Sequence, residues 1–216
     1  MRQNFTKEVV KETRFGSVQI RSFCAPADLD GLEFDSGFSD GEGNRSLLTG
    51  GTESLRQQTT QPGTSLVLAI SGGSRIIGFA ILAFPEAGER WADLGSGIMM
   101  EVKAIEVVRR CRSAGVGGSM LRLLLDPPWV EDRIIYMVGF AWTWDLNGAR
   151  MTAGQYRQML LNLFTPHGFE PYQTNEPNIC LKPENLFLCR IGCNISGAII
   201  ERFKWLRFGL APWRWV

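Results

Sequence analysis

The sequence is short of the groups on which many reaction classes depend. Among its 216 residues there is a single histidine, His167. One imidazole counts against a Ser-His-Asp or Cys-His hydrolase. The five cysteines, Cys24, Cys111, Cys180, Cys189 and Cys193, are odd in number and follow no repeating spacing. Cys189 and Cys193 have no second pair at zinc-finger spacing, so free thiols and no bound metal are expected. An excess of one charge is also missing. The 23 basic residues face 22 acidic ones, for a net charge of +1. Nothing draws the chain as a whole to nucleic acid or an anionic membrane, and neither is expected as a partner. No apolar run reaches the ~20 residues of a membrane span. The opening stretch MRQNFTKEVVKETRF lacks the apolar core of a signal peptide, so a cytoplasmic location is expected.

Apolar residues make up 44% of the chain and charged ones 21%, enough for the full core of one domain of ordinary size, with or without an appendage. Residues 15–23 alternate as an edge strand, and 26–34 read as a short helix. Residues 36–64 are rich in Gly, Ser, Thr and Gln and read as a flexible loop with one short helix near 53–60. The β-rich runs 65–70 and 75–84, joined by Ser-Gly-Gly-Ser, form a hairpin. A polar connector, 85–97, precedes a strand, a glycine turn and a leucine-rich helix over 101–125. A further strand, 133–141, runs into Trp142-Thr143-Trp144-Asp145-Leu146-Asn147-Gly148. Thr152 and Gln155 make a capping box for a helix reaching Phe164. Two last strands, 169–173 and 186–191, precede a final amphipathic helix capped by Ser196. The order predicts an α+β fold, a mostly antiparallel mixed sheet flanked by helices. We take 1–194 as one domain and 195–216 as a terminal helix with a Trp-rich tail.

The turn Arg112-Ser113-Ala114-Gly115-Val116-Gly117-Gly118-Ser119 carries the most chemistry. A strand feeding a glycine turn at a helix start aims several backbone N–H groups at one point, a place for a pyrophosphate. It is not a Walker loop, because Ser119-Met120 stands where Lys-Ser/Thr is needed. It is not a dinucleotide turn, because the third glycine falls on Met120 and no βαβ order follows. What remains is Arg-x-x-Gly-x-Gly, the turn used by acyl-CoA-dependent N-acyltransferases.

With that turn, the strand ending EVV and the preceding hairpin, the chain resembles the GCN5-related N-acetyltransferase (GNAT) superfamily over roughly 15–191. RIIGFAILAFPEAGERW, KAIEVV, WTWDLNG, NEPNI and RIGCNISGAIIERFKWLRF resemble the bacterial acetoin-utilisation acetyltransferases. The resemblance implies acetyl-CoA as cosubstrate and acetylation of a lysine on a protein partner, acetyl-CoA synthetase, which is thereby switched off. It implies that Ile105, Val107 and 112–119 hold the coenzyme. Other readings are acetylation of a small amine, or a CoA-sensing protein that holds a partner without turnover.

A solvated lysine is neutral about once in a few thousand molecules at pH 7, so a base or desolvation is required. The resemblance points to Glu101, eleven residues before Arg112, with Glu106 as the alternative on the opposite pleat face. The tyrosine acid of many relatives falls on Phe164 here; Tyr136 and Tyr156 match it by type and not by position. Trp142, Trp144 and Asp145 are candidate acceptor-binding residues, with Asp145 holding the ammonium. The competing reading makes the tryptophans core and Asp145 the start of a turn.

Overall fold

The apolar runs become strands whose burial follows their sequence. In the computed structural model, which describes residues 6–38 and 50–210, the strands are β1 (Glu8–Thr13), β2 (Gly16–Arg21), β3 (Glu33–Phe34), β4 (Ser65–Ser71), β5 (Arg75–Ala83), β6 (Met99–Val107), β7 (Ile134–Gly139), β8 (Glu170–Pro171) and β9 (Leu186–Ile191). The helices are α1 (Gly51–Thr60), α2 (Val116–Leu124), α3 (Leu146–Ala149), α4 (Ala153–Phe164), α5 (Pro177–Cys180) and α6 (Gly197–Leu206). The strand order is β1-β2-β4-β5-β6-β7-β9-β8, with β3 beside β5. Five of the strand pairings are antiparallel, while β3–β5 and β6–β7 are parallel. The expected mixed, mostly antiparallel sheet is therefore what forms. Residues 39–49 of the expected loop, and Trp213 and Trp215 of the tail, lie outside the described residues.

The chain divides into two compact units, and β6 contributes residues to each. Unit 1 comprises Met1–Leu82, Lys103–Pro127 and Asp145–Met151. Its β4 and β5 are apolar on both faces and almost wholly buried, as a strand covered on both sides must be. Helix α2 packs on β4 and β2, burying Val116, Met120, Leu121, Leu123 and Leu124. Strand β1 reads EVVKET, with charge on both faces. Its weak alternation explains why the sequence suggests only β2 at this edge.

Unit 2 comprises Ala83–Val102, Pro128–Trp144 and Thr152–Val216. The expected polar connector contains a short 3-10 helix, Arg90–Leu94, which buries Trp91 and Leu94. Trp91 stacks on Phe187 with ring centroids 4.3 Å apart. Helix α6 packs on that segment, with its Ile199–Ile200–Phe203–Leu206 stripe against the core. The terminal helix, expected beyond the boundary at 194, is thus part of this unit's core. The Thr152–Gln155 capping box forms reciprocally, at 3.2 and 2.9 Å.

Candidate active site

In unit 1 the end of β6 passes through a short 3-10 turn, Arg109–Cys111, into the glycine stretch. Ser113 has φ +61°, a left-handed conformation rare for a residue with a Cβ. Gly115 has φ +73° and stands at the N-cap of α2 without a capping side chain. The first-turn amides of Val116, Gly117 and Gly118 have no acceptor inside the helix. The fourth amide expected to donate outward, that of Ser119, bonds to the Gly115 carbonyl at 3.1 Å.

A lysine from the far end of the sequence also reaches this point. A Cβ on Gly115 would lie 3.1 Å from Lys11 Nζ, so the absent side chain leaves room for an ammonium over the turn. Lys11 is half-buried on β1, a strand that its EVVKET sequence does not announce. The residues immediately before the glycines are tied back. Arg112 donates from Nε to the Val107 carbonyl at 3.0 Å and from Nη1 to Asp145 at 2.9 Å. Arg109 grips the same carboxylate in bidentate fashion, at 2.8 and 2.6 Å. Ile105, Glu106 and Val107 are half-buried on β6, and Ala114 is half-buried in the turn.

Asp145 is only 1% exposed and caps α3 by accepting from the Gly148 amide at 3.2 Å. Its hydrogen bonds from Arg109, then Arg112, hold its carboxyl below the usual carboxylate range. Asp145 is therefore the shared counter-ion of two arginines and the start of a helical turn. The aspartate and glycine of the Trp-Asp-Leu-Asn-Gly motif are accounted for by that role, since a Cβ on Gly148 would lie 2.0 Å from Arg109 Cζ.

Unit 2 carries the other expected base. Glu101 forms the last β6–β7 pair, opposite Tyr136, and lines a cavity of about 430 Å³. Tyr136, Val138 and Phe140, at alternate positions of β7 and just beyond it, share that lining with Trp91 and Ile179. Two more carboxylates, Glu89 and Glu176, face the cavity with Arg90 and Asn178. Three carboxylates against one guanidinium leave the lining negative. Arg90 is itself engaged with Asn175 Oδ1 at 2.7 Å and the Arg207 carbonyl at 3.0 Å. The Tyr136 hydroxyl donates to Glu89 at 3.1 Å. Burial first, then the charges of Glu101 and Glu89, pushes this phenol well above its ordinary value. Glu89 and Glu176 lie within the motifs GERW and NEPNI, but neither stands out there as a site residue.

The two tryptophans part company. Trp142 is 48% exposed and stacks on Phe140 at 4.7 Å, beside the cavity wall. Trp144 is buried and stacks on Tyr156 at 5.1 Å. Phe164, where the resemblance implies a tyrosine, is fully buried and packs edge-on against Phe169. Among the described residues no group of three or more His, Cys, Asp and Glu is arranged to hold a metal.

Two likenesses to solved structures bear on this architecture. The acetoin utilization protein from Exiguobacterium sibiricum 255-15 matches with a TM-score of 0.83 at 23% identity, over 94% of each chain. The GNAT domain of S. lividans PAT matches with a TM-score of 0.55 at 13% identity, over 88% of this chain and 98% of that one. The strand order, the capless glycine turn and these likenesses define the class: the chain has the GNAT acetyltransferase fold. In sequence it is 29% identical over 197 residues, 91% of either chain, to the acetoin utilization protein AcuA of Bacillus subtilis strain 168. Along most of its length the chain is thus similar to AcuA in sequence, and it has the GNAT fold. No family model matches the chain.

Proposed function

We propose that the chain is an acetyl-CoA-dependent N-acetyltransferase. It acetylates a lysine of a partner enzyme, acetyl-CoA synthetase, in acetoin and acetate metabolism, and so inhibits that enzyme in the cytoplasm. The observation that carries the coenzyme half is the start of α2. A helix without a capping side chain offers the first-turn amides that have no acceptor inside it, and a lysine stands over its positive end. Pyrophosphate answers both, since it is anionic and accepts at several oxygens.

The cavity of unit 2 supports the amine half. Its acidic, aromatic lining suits a cation whose charge must be held and then removed. Glu101 is the base: its carboxylate takes the ammonium proton, and the freed nitrogen pair attacks the thioester carbonyl. The C–N bond forms as the C–S bond breaks, and CoA leaves as a thiolate that solvent protonates. Glu106, five residues along the same strand, has the opposite pleat parity and does not line the cavity. Trp142, through Phe140, extends the aromatic wall outward for the stem of the acceptor lysine.

The volume of the cavity, within the range that holds small ligands, favours one second reading, acetylation of a free amine. Release of CoA measured against a panel of acceptors separates the two. The proposal expects turnover with acetyl-CoA synthetase and only background with polyamines and amino sugars. The opposite ranking overturns the protein target, and silence with every acceptor overturns the activity.

A further inference from the structure

The buried ion cluster of unit 1 has a role that an acceptor-binding site does not explain. Asp145 receives four donors: Arg109 Nε and Nη2, Arg112 Nη1 and the Gly148 amide. The two guanidiniums share one carboxylate at the entry to the glycine turn. Arg112 is fixed a second time, at the Val107 carbonyl. The strand end, the turn and the Asp145 loop are thereby locked to one another through planar, directional contacts. The loop gives way to the arginine in return, because only a residue without a Cβ fits beneath Arg109 at position 148.

We infer that Asp145 is a positioning residue for coenzyme binding: it holds Arg109 and Arg112 so that the 112–119 turn is preformed for a pyrophosphate. The inference rests on the coenzyme reading of the turn. It differs from a charge effect in sign. Removing a negative charge beside an anion site strengthens anion binding if charge alone matters. If Asp145 acts by fixing the arginines, the same change weakens binding, because the guanidiniums then separate and the turn must be ordered by the ligand.

The test is calorimetric titration of CoA into the full-length protein and its Asp145→Asn, Asp145→Glu and Gly148→Ala variants, with steady-state kinetics alongside. Asp145→Asn is expected to weaken CoA binding at least about tenfold, with kcat at saturating acetyl-CoA nearly unchanged. Asp145→Glu keeps the charge and recovers part of the loss. Gly148→Ala leaves the carboxylate in place but displaces Arg109, and weakens binding in the same direction. Should Asp145→Asn not fold, Gly148→Ala decides the matter. Wild-type-like or tighter CoA binding by the folded variants overturns the inference and leaves the coenzyme reading standing. Failure of the wild-type protein to bind CoA overturns that reading, and this inference with it.

Discussion

Lys11 brings an ammonium to a helix end that is already positive. Like charges at such a position cost about 0.3–1 kcal/mol when exposed, so the arrangement is unfavourable until an anion lies between them. Lys11→Ala should therefore leave thermal stability unchanged or slightly raised while raising the KM for acetyl-CoA about tenfold. A thermal melt and a coenzyme titration read both. Glu101 is the proposed base of the other step. Glu101→Gln should lower kcat by about two to four orders of magnitude while CoA affinity stays unchanged. A folded variant that keeps wild-type turnover would move the role of base away from Glu101. The glycine turn was readable because its residues are contiguous. Lys11 was not readable, and Glu89 and Glu176, though inside notable motifs, gave no sign of a shared cavity until the fold brings them together. Asp145 stands out in the sequence, but its partners are distant along the chain: the motif suggests an ammonium where the fold supplies two guanidiniums.

Helix α4 illustrates what an element does with a family position. Its N-terminus was legible from Thr152 and Gln155, because a capping box is a local bond pattern. Near its C-terminus, Phe164 takes the place of a tyrosine and sits in the core against Phe169. Phe164→Tyr would bury a hydroxyl among apolar rings, at a cost of about 1–3 kcal/mol if it finds no partner. Chemical denaturation should show that loss of stability, and kcat should not rise; a gain in kcat would restore a tyrosine acid to the mechanism. Strand β1 escaped notice for the opposite reason. Its EVVKET repeat carries charge on both faces, and only pairing with β2 reveals it as a strand.

At the scale of the whole molecule, carboxylates held by arginine or backbone donors occur in both units. Asp35 is held low by Arg110, Asp145 by Arg109 and then Arg112, and Glu131 by the Cys193 amide and then Arg190. Each has a folded-state value below its unfolded one, so each contributes stability that is fully present above the unfolded value of about 4. That contribution is lost as pH falls through the lowered folded values. Urea midpoints should hold steady from about pH 7 down to 5 and then drop progressively below 4. The drop should be shallower in Asp145→Asn. The mixed sheet was legible from the hairpin runs and the single strand-turn-helix. The division into two units was not, because it cuts β6 after Val102, inside one continuous strand.

The central claim is transfer of an acetyl group from acetyl-CoA to a protein lysine. The measurement that meets it most directly uses acetyl-CoA labelled in the acetyl group, the purified protein and purified acetyl-CoA synthetase, followed by tandem mass spectrometry of the digested synthetase. Labelled acetyl is expected on a lysine side chain of the synthetase, formed by the wild-type protein and sharply reduced with Glu101→Gln. No labelled lysine with the wild-type protein, or equal labelling with the variant and with no enzyme at all, would contradict it.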